Sequence, residues 1–79
     1  MRVLYFAQTK RLAGVAEETV PVVVPLSTGE LWTLLLARHP ALEPLRSVTR
    51  LARNGEFAAA DARFGDADEV ALIPPVSGG

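Results

Sequence analysis

Ser27-Thr28-Gly29-Glu30-Leu31-Trp32-Thr33-Leu34-Leu35-Leu36-Ala37-Arg38-His39-Pro40 is the one stretch of the chain with a clear helical period. Ser27 followed by Glu30 at the third helical position matches a capping box, in which each side chain satisfies a backbone N–H of the other. Leu31, Leu34 and Leu35 fall on one face, and Trp32 and Leu36 widen it into a stripe broad enough to lie on a sheet. The residue before a proline is disfavoured in the helical region, so the helix is expected to end near His39. His39 then stands at the helix C-terminus, where the macrodipole favours it.

The segments on either side read as strands. Arg2 to Phe6 is rich in β-formers, and Gln8 to Leu12 suits a short helical turn closed by Gly14. Thr19 to Val24 reads as a second strand, but Pro21 cannot donate to a ladder and places it at a sheet edge. Beyond the helix, Pro44 to Arg46 suits one further turn and Val48 to Arg53 a third strand. Asn54-Gly55 is a strong signal for a tight hairpin, with Phe57 to Ala60 as the returning strand. Gly65 to Asp68 is turn-like, and Glu69 to Ile73 is the final strand, ended by Pro74-Pro75. Two strands, a helix, then further strands call for one main helix packed on one face of a mixed sheet of four to five strands. This is an α+β arrangement with the element order of the β-grasp, or ubiquitin-like, fold. In it the first and last strands lie side by side and parallel at the centre, with the second strand at an edge.

Seventy-nine residues make one domain, spanning 1–79. Eight Lys and Arg against nine Asp and Glu give a net charge of −1, unlike the strong basic excess of a dedicated nucleic-acid binder. No apolar run approaches a membrane span, and the opening residues do not form a signal peptide, so a cytoplasmic address is expected. The absence of cysteine removes disulfides, thiolate metal sites and cysteine nucleophiles, and the single histidine removes a multi-histidine metal site. Asp61, Asp66, Asp68 and Glu69 do not have the spacing of a calcium loop. The chain is therefore not expected to be an enzyme on its own.

The last six residues, Pro74-Pro75-Val76-Ser77-Gly78-Gly79, read as an extended mobile tail. Six extended residues reach about 20 Å, enough to enter a partner's buried site. A terminal α-carboxylate is a poor electrophile at neutral pH. Adenylylation makes it reactive, and a narrow channel admits it only if the last residues lack side chains. Sulfur accepted there as a thiocarboxylate needs no cysteine on the carrier.

The chain resembles the small subunit of molybdopterin synthase, the MoaD type within the MoaD/ThiS family of ubiquitin-like sulfur carriers. The resemblance rests on Val3-Leu4-Tyr5-Phe6-Ala7-Gln8 with Leu12-Ala13-Gly14, on Asn54, and on Asp68-Glu69-Val70-Ala71-Leu72-Ile73-Pro74-Pro75-Val76-Ser77-Gly78-Gly79. It departs in having aliphatic Leu72 and Ile73 where aromatics are frequent, and Ala67 where a glycine is common. The resemblance implies that an ATP-dependent adenylyltransferase of the ubiquitin-activating type activates Gly79 and that a sulfur donor protein converts it to the thiocarboxylate. The tail then delivers sulfur inside the large synthase subunit to cyclic pyranopterin monophosphate, in a complex of two small and two large subunits. Catalytic side chains belong to the large subunit, and no cofactor is held permanently. Gly79 is the reacting residue and Gly78 is needed for passage. Phe6, Lys10, Leu72, Ile73, Pro74, Pro75, Val76 and Ser77 are the expected partner-binding residues. Of Leu72 and Ile73, which alternate along a strand, one is expected in the core and one at the interface. Arg46, Arg50 and Arg53 are candidates for a basic patch. Related carriers for thiazole or cysteine synthesis or tRNA thiolation share this tail chemistry. A non-covalent β-grasp binding module and a lysine-conjugating modifier remain the readings of other classes.

Overall fold

The computed structural model describes residues 1–75. Five strands form one mixed sheet in the order β2-β1-β5-β3-β4. The strands are β1 (Arg2–Tyr5), β2 (Glu17–Thr19), β3 (Arg50–Arg53), β4 (Glu56–Phe57) and β5 (Glu69–Ile73). The helices are α1 (Ala7–Ala13) and α2 (Thr28–Arg38), followed by a 3₁₀ segment at Pro40–Leu45. β1 and β5 run parallel at the centre, with Arg2 opposite Glu69 and Tyr5 opposite Leu72. β5 pairs antiparallel with β3 on its other side, and β2 lies at the edge beside β1, as expected. This is the β-grasp architecture.

The capping box at α2 is formed. Ser27 Oγ accepts from Glu30 N at 3.2 Å, and Glu30 Oε1 accepts from Ser27 N at 2.9 Å. α2 buries Leu31, Trp32 and Leu35, while Leu34 and Leu36 are partly buried at the margins. His39 is the C-cap, its N–H bonded to Leu35 O at 2.8 Å. The core between α2 and the sheet takes Val3, Tyr5, Leu51, Val70 and Leu72 from the inner sheet face.

Several boundaries differ from the sequence reading. The second strand is Glu17–Thr19, not Thr19–Val24. Pro21 has no N–H to give, and Val22 N is taken by Asp66 Oδ1 at 3.0 Å, so the ladder stops. Cross-strand partners set the earlier position: Arg2 Nε lies 2.6 Å from Glu17 Oε2, and the Tyr5 hydroxyl donates to Glu18. Val23 is left 99% exposed in the following loop. The return strand is Glu56–Phe57 rather than Phe57 to Ala60, and β3 begins at Arg50 rather than Val48. The turn expected at Pro44 to Arg46 is a longer 3₁₀ segment that starts at Pro40 and buries Leu42. The turn after β1 is a seven-residue helix ended by Gly14 at φ 79°.

The Asn54-Gly55 turn has φ 52° and 88°, the left-handed pair a tight two-residue hairpin requires. Asn54 does more than turn. Its Oδ1 accepts from Glu69 N at 2.9 Å and its Nδ2 donates to Asp68 Oδ1 at 2.9 Å. The hairpin is thereby tied to the start of β5. Asp68 also accepts from Gly65 N at 2.7 Å, and the bonds from Gly65 and Asn54 hold its carboxyl below the ordinary value. Phe64 is fully buried, bridging to Leu26 across the loop.

Candidate functional site: the open sheet face and the strand exit

The register decides which residues face away from α2. Opposite residues on neighbouring strands point to the same side of a sheet. Tyr5, Leu72 and Leu51 form one rung and are all buried on the core side. The neighbouring rung, Leu4-Ala71-Ala52-Phe57, therefore lies on the outer face. Arg50 and Ile73 pair on that face two rungs nearer the strand exit. The middle of the outer face is thus apolar, and no second layer covers it among the described residues. Phe6 and Phe57, 48% and 55% exposed, stand at its margins. Arg50 lies over the Phe57 ring with its guanidinium carbon 3.7 Å from the centroid, within cation–π range.

β5 leaves this face through Pro74 and Pro75. Pro74, expected as the first tail residue, is buried against the body of the fold, and Pro75 is exposed. Val76, Ser77, Gly78 and Gly79, the expected contact and reacting residues of the tail, lie outside the described residues.

Leu72 is 0% exposed and faces the core beside Tyr5 and Leu51. Its expected role as a partner contact is corrected to that of a core residue, and Ile73, half-buried on the outer face, is the surface member of the pair. Phe6, Lys10 and Pro75 are exposed around the exit. Sequence reasoning passed over Leu4, Ala52, Ala71 and Phe57. Alternation along Arg2 to Tyr5 and Glu69 to Ile73 carried the signal for two of them, but which phase faces outward needed the register.

The corner joining β1 to the exit is held from inside. Thr9, fully buried, accepts from Phe6 N at 3.0 Å and donates to Phe6 O at 2.7 Å, and its hydroxyl lies 3.5 Å from Leu72 O. Ala7 at this corner has φ 50°, a left-handed conformation unfavourable for a residue with a Cβ. At the β2 edge, Glu18 gathers three side chains. The Tyr5 hydroxyl donates to it at 2.5 Å, His39 Nε2 lies 2.7 Å away, and Arg38 lies 3.4 Å away. The Tyr5 and His39 rings meet edge to face, with centroids 5.4 Å apart. Burial alone raises the Glu18 carboxyl, but bonds from Tyr5 and His39 and the charges of His39 and Arg38 outweigh it and hold it below the ordinary value. Burial and the neighbouring carboxylate push the Tyr5 phenol upward, so it stays protonated. This cluster joins the edge strand to the end of α2.

Among the described residues, no group of three or more His, Cys, Asp and Glu is arranged to hold a metal. Asp66 and Asp68 are engaged with backbone N–H groups instead. Among the described residues, no helix is long and apolar enough to cross a membrane.

A five-stranded mixed sheet with α2 on one face, an uncovered apolar patch on the other, and parallel central first and last strands defines a ubiquitin-like β-grasp protein. The ThiS family matches residues 3–79, and the chain belongs to it. The molybdopterin synthase sulfur carrier subunit of Chlamydomonas reinhardtii is 38% identical over 81 residues, covering 100% of this chain and 98% of that protein. The human molybdopterin synthase sulfur carrier subunit is 35% identical, covering 100% and 93%. The crystal structure of SAMP1 from Haloferax volcanii superposes with a TM-score of 0.85 at 34% identity, covering 100% of this chain and 98% of that one.

Proposed function

We propose that this chain is the sulfur-carrying small subunit of a molybdopterin synthase and acts in the cytoplasm. The observation that carries the reading is full-length similarity to molybdopterin synthase sulfur carrier subunits in a chain that ends in Pro-Pro-Val-Ser-Gly-Gly. The uncovered sheet face beside the strand exit supports it.

In this reading the Gly79 carboxylate attacks the α-phosphate of ATP on an adenylyltransferase of the ubiquitin-activating type, and pyrophosphate leaves. Hydrosulfide supplied by a donor protein attacks the acyl carbon, AMP leaves, a proton is lost, and a thiocarboxylate remains. The large synthase subunit docks on the outer face through Phe6, Ile73, Phe57 and Pro75, and Lys10 faces the activating enzyme. The tail enters the large subunit's active site, where Gly78 passes a constriction that a side chain would block. The thiocarboxylate sulfur attacks cyclic pyranopterin monophosphate, water hydrolyses the resulting acyl–sulfur bond, and Gly79 returns to the carboxylate. Two small and two large subunits make up the complex. The small subunit supplies no catalytic side chain.

A second reading has its own support. The small archaeal modifier protein 1 of Haloferax volcanii is a relative at 37% identity, and a modifier would join the same activated Gly79 to lysines of other proteins.

Intact mass decides. After incubation with ATP, a sulfur source and the host's adenylyltransferase, the carrier reading expects replacement of one oxygen by sulfur, mapped to Gly79. Deleting Gly79 should leave the fold intact and abolish sulfur transfer to the pterin. A Gly79-deleted chain that still supports molybdopterin formation refutes the carrier reading. Isopeptide adducts retaining Gly79, with no thiocarboxylate-dependent pterin product, favour the modifier.

A further inference from the structure

The net charge of −1 conceals a separation of charge along the strands. Lys10 and Arg11 lie on α1, directly after the C-terminal end of β1. Arg46 closes the 3₁₀ segment, which packs against α1. Arg50 opens β3 opposite Ile73. All four are exposed, all stand at the end where β5 exits, and none forms an ion pair among the described residues. The carboxylates nearest this end are otherwise engaged: Glu17 pairs with Arg2, and Glu18 with Arg38 and His39. Only Glu43 adds an unpaired negative charge there, among the described residues. The other end of the sheet carries Glu56, Asp66, Asp68 and Glu69, against Arg2, Arg53 and the Met1 ammonium, which lies 3.4 Å from Asp66 Oδ1.

We propose that this cationic collar is a recognition surface for a protein partner that is acidic around the opening receiving the tail, and that Arg50 is its central specificity contact. The proposal rests on the carrier reading, because the tail must enter a partner for a collar around its exit to matter. Two features favour a protein carboxylate as the complement. The Arg50 guanidinium carbon rests 3.7 Å from the Phe57 ring centroid, a contact that restricts the side chain and lowers the entropic cost of a bidentate carboxylate pair. It also sits on the apolar face next to Ile73, where docking excludes water and makes a matched charge pair selective. At longer range, a molecule with its positive end around the tail approaches an acidic opening tail first, which raises the association rate without further contact area.

The test is stopped-flow association of the full chain with the large synthase subunit at low and high salt. Thiocarboxylate formation by the adenylyltransferase is measured on the same preparations. The wild-type association rate is expected to fall about tenfold or more from 50 to 500 mM salt. R46E/R50E is expected to lose a similar factor at low salt, and R50K to recover only part of it because ammonium lacks the planar fork. Glu56→Lys, beside the far hairpin, should change the rate by less than about twofold. Circular dichroism checks that every variant is folded. A rate insensitive to both salt and R46E/R50E, with sulfur loading and complex formation intact, overturns the collar and leaves the carrier reading standing. Failure of the chain both to load sulfur and to bind the large subunit refutes the carrier reading and the collar with it. Tight binding of a random single-stranded RNA, lost in R46E/R50E, overturns the proposal by assigning the collar to another class of partner.

Discussion

Leu72→Ala and Ile73→Ala are neighbouring truncations with opposite expected consequences. Leu72 is 0% exposed, seated between Tyr5 and Leu51 on the core side of the central strand. Truncating a fully buried leucine leaves a cavity that the surrounding core fills only in part, and costs about 3 kcal/mol. A chain of 79 residues has a total stability of about 4–12 kcal/mol, so a quarter or more is lost. The melting temperature should drop by roughly 12–24 °C. Ile73 is half-buried on the outer face, and its truncation removes apolar area worth about 1 kcal/mol without opening a core cavity. Its cost appears in docking, where loss of an apolar contact beside the tail should weaken large-subunit binding by about tenfold, or 1.4 kcal/mol. The assay for stability is urea unfolding followed by Trp32, the single tryptophan, which is buried and reports on the core. Binding is measured by calorimetry below each variant's melting temperature. Equal destabilisation by the two variants, or weaker docking from Leu72→Ala than from Ile73→Ala, refutes the assigned phase of β5.

The Glu18 cluster gives a pH dependence. A carboxyl held below its unfolded value contributes stability above that value and loses it as pH falls through the folded one, so the urea midpoint should decline as pH drops below about 4.5. Glu18→Gln should flatten that decline, and an unchanged slope removes the cluster from the account. Tyr5→Phe, which deletes the hydroxyl bonded to this carboxylate, should cost about 1.5 kcal/mol at pH 7 and less at pH 3. Asn54→Ala removes two hydrogen bonds to the start of β5 and puts a Cβ-bearing residue without a local polar partner at φ 52°, so it should cost roughly 2–3 kcal/mol. Chemical denaturation measures this, and a loss within about 0.5 kcal/mol would mean the hairpin tie is immaterial.

Local chemistry was legible in the sequence wherever it depends on residues close together in the chain. The capping box at Ser27 and Glu30, the end of α2 before Pro40, the left-handed turn at Asn54-Gly55 and the close of β5 before Pro74-Pro75 each follow from backbone preferences over four residues or fewer. The order of these elements, with two strands before one long helix and three after it, was enough to reach the β-grasp. The acyl chemistry proposed at Gly78-Gly79 likewise starts from local sequence, since only residues without side chains suit a narrow channel, but these residues lie outside the described ones.

Long-range pairing decided the rest. Whether Leu72 or Ile73 faces the core depends on the rung shared with Tyr5 and Leu51, and alternation gives the period of a strand but not its phase. The second strand sits at Glu17–Thr19 because Arg2 and Tyr5 reach across to Glu17 and Glu18 and because Asp66 captures Val22 N. Phe64 and Leu42 are buried although each stands in an irregular segment with no period to mark it. The outer face exists as a surface only once five strands lie side by side, and the cationic collar only once α1, the 3₁₀ segment and the start of β3 converge on the exit of β5. Local preferences are set by backbone sterics within a few residues, whereas a surface is set by which distant residues the sheet brings together.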